Sequence, residues 1–348
     1  MHTLFVDPQS LTPEDLDRWL ARGWYRMGQS LFTARYVVFD DVLRAAVWTR
    51  LDLQGYRFRK SLRRVLNRVD TDFRTEVGPC VLDAEHEQLY QRYRAIAKGE
   101  RSPSLHDFLH GDSDVDLFDT QEVRVRDGDR LVAFSWFDAG REGIQSLIGV
   151  YEPDLARYSL GFYTMLAEIR YGLETGRRWF YPGYVLPGDP SMDYKLRVGD
   201  MEFLDPELNR WRPWREFASY DLPTERLKKG LEEARRALVQ RGVPARQRLI
   251  AWFDVAARQP ALASCLSEPL VVECWPDRSE PTRLMACYDV DRRHWSLVRC
   301  LRAEARRVDR QGRVMDHDTG LELWVVVERY GTRTDPEALA EAVLRLGA

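Results

Sequence analysis

The chain has 348 residues, 44% hydrophobic and 31% charged, a balance that supports a large buried core and excludes a disordered chain. Its 52 Lys plus Arg against 55 Asp plus Glu give a formal charge of -3, which excludes a basic coat over the whole surface but leaves room for a local basic patch. The first thirty residues carry Asp7, Glu14, Asp15 and Asp17 and no signal-peptide core, and no stretch reaches the roughly 20 apolar residues of a membrane helix, so a soluble chain is expected. Five cysteines without a CxxC pair point to a reducing cytoplasm.

In chain order, Thr12, Pro13 and the acids that follow predict a helix over residues 12–22. Aromatic and β-branched residues on either side of Asp40-Asp41 predict a hairpin. The run Arg57 to Arg68 holds Arg59, Lys60, Arg63, Arg64 and Arg68, with Leu62, Val65, Leu66 and Val69 at helical spacing, and predicts an amphipathic basic helix. A helix over 85–96, a short helix with an acidic loop, and three strands between 121 and 151 come next, the strands punctuated by Asp127-Gly128 and by Gly140 with Gly143. The segment 160–176 places Phe162, Leu166, Ile169 and Leu173 on one face and stops at Gly176; a strand through Pro182-Gly183 follows. The order strand, strand, strand, helix, strand favours a βαβ crossover with splayed strands.

Residues 209–217 read as an extended tryptophan-rich connector, and the helix after it ends at Gly242. Beyond that, a helix at 248–258, four strands and a final helix at 335–346 describe a smaller α+β unit. The division that follows is 1–110 with the basic segment, 111–242 as the catalytic region and 243–348 as a C-terminal α+β domain, with no internal repeat.

Several chemistries lack their signatures: there is no GxSxG, no HExxH, no GxxxxGK[ST] and no Cys or His spacing for zinc, so no metal is expected. His106 and His110 share a helical face, but two ligands do not make a site. Ser159-Leu160-Gly161 places a helix start directly after a strand region, where backbone amides can hold an acyl carbonyl or a phosphate.

These residues belong to an ordered series. Tyr151-Glu152-Pro153-Asp154, then Ser159-Leu160-Gly161 with Tyr163, Leu166, Glu168 and Ile169, then Tyr181-Pro182-Gly183-Tyr184, then Met192-Asp193-Tyr194-Lys195 resemble, in order and spacing, the arginyl-tRNA-protein transferases and the bacterial enzymes that transfer leucine to protein N-termini. Upstream, Arg59 to Arg64 with Asn67 resembles a further block of the family, so the likeness spans residues 20–205. The chain departs from the family at Trp24 to Met27, where a CxxC pair usually stands, and at Leu186 to Ser191, where an H-S-C-P-K-like run is usual.

The resemblance implies an α+β, GNAT-like N-acyltransferase fold that moves an amino acid from aminoacyl-tRNA to a protein α-amine, with aminoacyl-tRNA as co-substrate and no other cofactor. It makes Tyr194, Lys195, Asp154 and Glu152 candidates for catalysis: Lys195 for a substrate carboxylate or developing charge, the two acids for the aminoacyl ammonium or as base. Tyr151, Ser159, Gly161, Tyr163, Tyr181 and Tyr184 become candidates for substrate binding. Arg59, Lys60, Arg63, Arg64 and Arg68 become candidates for tRNA phosphates or an acidic N-terminus. Two other classes stay open: an acyl-CoA-dependent GNAT enzyme, disfavoured because Phe162 and Tyr163 follow Gly161 where its pyrophosphate loop needs a small residue, and an inactive tRNA- or degron-binding relative.

Overall fold

The computed structural model describes residues 2–97, 99, 101–111, 113–276, 281–305 and 321–347. The chain forms two compact units, one of Val6–Thr33 and Ala46–Ser219, the other of Met1–Phe5, Ala34–Ala45 and Tyr220–Ala348. The boundaries expected at residues 110 and 242 therefore fall inside units. The reason is pairing across them: the strand Arg74–Pro79 pairs with Thr120–Asp127, and the helix Pro223–Gln240 buries Leu227, Leu231, Ala234 and Leu238 in the core of the C-terminal sheet.

The larger unit is built on an eight-stranded mixed sheet. Its strands are β1 Val47–Asp52, β2 Arg74–Pro79, β3 Thr120–Asp127, β4 Arg130–Ala139, β5 Gly143–Tyr151, β6 Trp179–Val185, β7 Met201–Asp205 and β8 Arg210–Pro213, in the spatial order β8-β7-β1-β6-β5-β4-β3-β2. The helices are α1 Pro13–Leu20, α2 Lys60–Asp72, α3 Ala84–Arg94, α4 Leu105–His110 and α5 Leu160–Glu174. Thr12 caps α1 in a reciprocal capping box with Asp15, as its sequence predicts. In α2, Leu62, Leu66 and Val69 are buried while Arg63, Arg64 and Arg68 stay exposed, as the helical spacing of the basic run requires.

Helix α5 connects β5 to β6, the one parallel pair of this sheet among the described residues, and packs with α2 on one face. That face is filled by Leu160, Leu166, Ile169, Ile144, Phe137 and Phe180. Helices α3 and α4 pack against Leu131, Phe134, Trp136 and Val150 on the other face.

The parallel pairing lasts three residues, Gly143 with Trp179, Ile144 with Phe180 and Gln145 with Tyr181, and then the strands part. Pro182 has no N–H to donate, and Gly183 adopts φ +89°, open to glycine at no steric cost. Register shifts occur at the same level on both sides, between Ser146 and Ile148 against β4 and between Phe180 and Gly183 against β1. The splay expected from the order of elements is thus present, and it is made by a proline, a glycine and two bulges.

In the other unit, Asp40 and Asp41 turn the hairpin Tyr36–Phe39/Val42–Ala45 with φ of 50° and 57°. Its main sheet is antiparallel: Ala245–Leu249, Leu270–Cys274, Thr282–Asp289, His294–Ala305 and Leu321–Arg333 in sequence order. The helix expected at 248–258 is instead the end of the first of these strands, a turn and a short helix Val255–Arg258. Its apolar run satisfied both periods, and pairing with Leu270–Cys274 decided for the strand. Residues 209–217 likewise form β8 and a 3-10 turn where an extended connector was expected. Glu273, fully buried on this sheet, is matched by Arg246, Arg248 and Arg283 at 3.1, 2.9 and 3.2 Å. The last residues of the third expected strand of this unit, 306–308, lie outside the described residues.

Candidate functional site

The splay opens beside the N-terminus of α5. Ser159 enters the helix in the left-handed conformation, φ 56°, no side chain caps it, and the first turn carries no acid. The end is therefore free to face a carbonyl oxygen or an anion. Gly161 is required: a Cβ there would lie 2.9 Å from Cδ1 of Tyr151. The Tyr151 ring meets Tyr93 of α3 edge to face at 5.2 Å, and Phe162 meets Tyr194 at 6.4 Å. Arg197 covers Phe162 at 5.0 Å. Tyr151, Gly161 and Tyr194, all read from the sequence, thus lie close to one another beside this helix end, while the Tyr184 ring packs against Trp48 at 5.1 Å and meets this group through Lys195.

Lys195 is partly buried and donates to the main-chain carbonyl of Tyr184 at 2.9 Å, with its ammonium 5.7 Å from the centre of that residue's ring. Burial, and then repulsion from the Arg101 guanidinium, lower its pKa to about 8. Neither Lys195 nor Arg101 has an acidic partner among the described residues. Tyr194 is 39% exposed, yet its phenol is raised by burial first and then by Tyr93, with Arg101 opposing. Arg101 therefore acts on both members of the Tyr194-Lys195 pair, a cation the sequence did not single out because nothing in the polar loop around it forms a pattern.

The remaining sequence candidates sit elsewhere. Burial raises the Glu152 carboxyl, but ion pairs with Arg92 at 3.0 Å and Arg130 at 2.9 Å outweigh it and hold the pKa below the usual range. This side chain is occupied in tying the end of β5 to its neighbours. Asp154 is exposed in the 3-10 turn Pro153–Tyr158. Tyr163 points away from the site: its hydroxyl meets Thr75 of β2 at 2.7 Å and donates to Asp70 of α2. Tyr181 is 1% exposed on the opposite face of the sheet, against Tyr25 and Trp211.

Among the basic candidates, Arg59 pairs with Asp200, Arg63 donates to the Phe58 carbonyl at 2.7 Å, and Arg68 donates to the Arg157 carbonyl at 3.2 Å while lying 4.6 Å over Tyr158. Lys60 and Arg64 are exposed and have no partner among the described residues. Helix α2 starts without a side-chain cap or an acid in its first turn, so three cations crowd a helix end that already carries partial positive charge.

At Trp24 to Met27, Arg26 is 8% exposed and ties the N-terminal hairpin to the sheet: it donates to Thr120 at 2.7 Å, Asp138 at 2.8 Å, the Leu109 carbonyl at 2.8 Å and the Gly28 carbonyl at 2.6 Å. Among the described residues no group of three His, Cys, Asp or Glu is placed to hold a metal, and no helix is long and apolar enough to cross a membrane.

One buried acid was visible in the sequence only as part of a motif. Glu168 of α5 is fully buried, and neither carboxylate oxygen has a hydrogen-bond partner. Burial raises its pKa to about 8; the nearby Ser135 and Ser146 hydroxyls only temper the rise.

Aromatic rings at a strand splay, an open helix end and two cations without an acidic partner among the described residues make an arrangement that can hold an acyl carbonyl or a carboxylate. Over residues 85–205 the chain matches the family described as arginine-tRNA-protein transferase, C terminus. It is 27% identical over 210 residues to an aspartate/glutamate leucyltransferase of Vibrio cholerae, covering 60% of this chain and 86% of that protein. With the protein of the same name from Leptospira interrogans it shares 26% identity over 221 residues, 60% and 81% of the two chains. Solved structures overlap loosely: L-PGS from Bacillus licheniformis at 16% identity and TM-score 0.32, over 49% of this chain and 50% of that one, and a GCN5-related N-acetyltransferase from Kribbella flavida at 16% and 0.26, over 48% and 54%. At these scores they carry no argument about chemistry.

Proposed function

We propose that this chain transfers an amino acid from aminoacyl-tRNA to the α-amine of a protein N-terminus, that leucine is the group carried, and that the accepted N-termini begin with Asp or Glu. The relatives' names supply the leucyl group and the acidic acceptors. The observation that carries the acceptor reading is the pair Lys195 and Arg101: the Arg101 guanidinium acts on the Lys195 ammonium, and neither has an acidic partner among the described residues, a gap that a carboxylate from the acceptor would fill. Tyr151, Gly161 and Tyr194 bound the space for the reacting groups.

The ester bond of aminoacyl-tRNA is already activated, so the protein's work is to bring a neutral amine to the carbonyl and stabilise the oxyanion. The open N-terminus of α5 offers backbone amides for the oxyanion. The cations of α2, above all Lys60 and Arg64, fit the phosphates of an acceptor stem. This chemistry needs no metal or other cofactor.

The full chain, incubated with a mixed pool of charged tRNAs and peptides beginning in Asp, Glu, Lys or Arg, is expected to leave a leucine mass shift on the Asp and Glu peptides alone. A shift on Lys or Arg peptides overturns the acceptor reading, and a different mass overturns leucine. Transfer from acyl-CoA with none from tRNA overturns the proposal.

A further inference from the structure

We infer that Glu168 is the residue that takes the proton from the acceptor's α-ammonium, received through the hydroxyl of Ser146. This rests on the transferase reading above and adds to it the base that the reaction requires.

The inference begins with an elimination among the buried acids of the larger unit. Glu122 is bonded by His86 and by the Val81 amide, Asp138 by Arg26 and Thr120, Glu152 by Arg92 and Arg130, Asp189 by the Ser191 amide, and Asp205 by Arg212 and two loop amides. Glu168 stands apart, with both oxygens unbonded and the residue 0% exposed. An unpaired carboxyl among Leu166, Ile169 and Phe137 works against folding, and nothing in the packing of α5 requires it.

Its position supplies the reason. Ser146 is the first residue of β5 past Gln145, where pairing to β6 ends, so it stands at the opening of the splay and is only partly buried. The bulge at Leu147 follows, and Gly149 beyond it pairs with Ser135. The Ser135 and Ser146 hydroxyls are the polar groups that act on the Glu168 carboxyl, and that of Ser135 is itself unbonded. No charged side chain of any element packed on α5 shifts this carboxyl; the ionisable group that feels it is Tyr194, beside the helix end. Two hydroxyls, one of them at the opening of the splay, therefore link the buried Glu168 carboxyl to its surroundings.

The step balances as follows. The acceptor's α-ammonium gives one proton through Ser146 to the Glu168 carboxylate; the neutral nitrogen attacks the ester carbonyl, and the C–N bond forms. The tetrahedral intermediate collapses with cleavage of the bond to the ribose oxygen, which takes the second N–H proton, and Glu168 returns its proton to solvent. A carboxyl raised to about 8 is matched to an α-amine, whose ordinary pKa is about 7.7–8.0, so the transfer is close to isoenergetic.

The test is single-turnover leucyl transfer to an Asp peptide from pH 6 to 9.5, with thermal midpoints, for wild type, Glu168→Gln and Ser146→Ala. Glu168→Gln is expected to be about 100-fold slower near pH 8, where part of the wild-type carboxyl is ionised and part of the α-amine is still ammonium, with the deficit shrinking toward pH 6, where the carboxyl is protonated, and toward pH 9.5, where free amine is abundant, and with an unchanged or raised midpoint. Ser146→Ala, which disturbs no buried charge, is expected to show the same convergence with a smaller deficit. Rates within twofold of wild type in both variants, or deficits that stay constant with pH, overturn the inference. A wild type that transfers from no charged tRNA overturns the transferase reading and this one with it, whereas an active wild type with indifferent variants overturns this one alone.

Discussion

The Lys195 ammonium has three protons to donate and spends one on the Tyr184 carbonyl at 2.9 Å, while Arg101 presses a second positive charge toward it. An incoming carboxylate relieves both conditions. Lys195→Met should raise KM for Asp and Glu peptides by about 10- to 100-fold, the range of a charge-assisted hydrogen bond in a partly dry site. The thermal midpoint should stay or rise, because the native state disfavours the ammonium. With its pKa lowered to about 8, Lys195 loses its charge as pH climbs through that value, so wild-type KM should rise there and that of Lys195→Met should not. A KM unmoved by the substitution removes Lys195 from acceptor recognition.

Arg26 and Asp138 make a second testable pair. Burial raises the Asp138 carboxyl, with Arg26 and Thr120 opposing, and both side chains are almost completely enclosed. Arg26→Met should cost about 3–5 kcal/mol, since it strands a buried carboxyl and removes the donor to the Gly28 carbonyl, while Gln29 still donates to the Leu109 carbonyl at 2.9 Å. Adding Asp138→Asn should recover part of that loss. Chemical denaturation of the two single variants and the double one checks this; additive losses would mean that the residues do not depend on each other.

His86 is clamped between Asp83 and Glu122, each 2.7 Å from a ring nitrogen. Burial lowers its pKa, but the two carboxylates outweigh burial and raise it above the ordinary 6.5. A raised histidine contributes stability that is fully present below the unfolded pKa and is lost as pH rises through the folded one. Wild type should therefore lose more stability between pH 6 and 8.5 than His86→Gln, read as the change in urea midpoint. Equal slopes for the two proteins would show that the ring is neutral throughout.

What the sequence made legible was local. Thr12 announced α1, Asp40-Asp41 their hairpin, and Leu62, Leu66 and Val69 the buried side of α2, because caps, turns and periodicity act within a few residues. Pairing partners were not legible: that β1, a hundred residues upstream, inserts between β6 and β7 is decided by packing between distant segments. The same limit separated Tyr184 from Tyr181, which share one strand and one motif. With the backbone bulged between Phe180 and Gly183, both rings pack in the core that holds Tyr25 and Trp48, and the Tyr184 ring centre also lies 5.7 Å from the Lys195 ammonium. Glu168 lay in plain view inside a motif, but its lack of a partner is a property of the packed sheet.

The basic helix gives a prediction in which the cations are not equivalent. Arg59 is engaged with Asp200 and Arg68 with Arg157 and Tyr158, whereas Lys60 and Arg64 are exposed and unpartnered among the described residues, and Arg63 is held only by the Phe58 carbonyl. If α2 receives an acceptor stem, each phosphate contact contributes about 0.9 to the slope of log affinity against log salt on duplex nucleic acid. Arg63→Ala with Arg64→Ala should then weaken tRNA binding and make the slope shallower by about one to two. Arg59→Ala should change it less, since part of that charge is already neutralised by Asp200. The thermal midpoint should barely move, because these side chains lie on the exposed side of α2 while Leu62, Leu66 and Val69 anchor the other. Filter binding of charged tRNA between 50 and 300 mM salt reads the effect, and a slope unchanged in the double variant would leave the run as a solvated helix face with the tRNA held elsewhere.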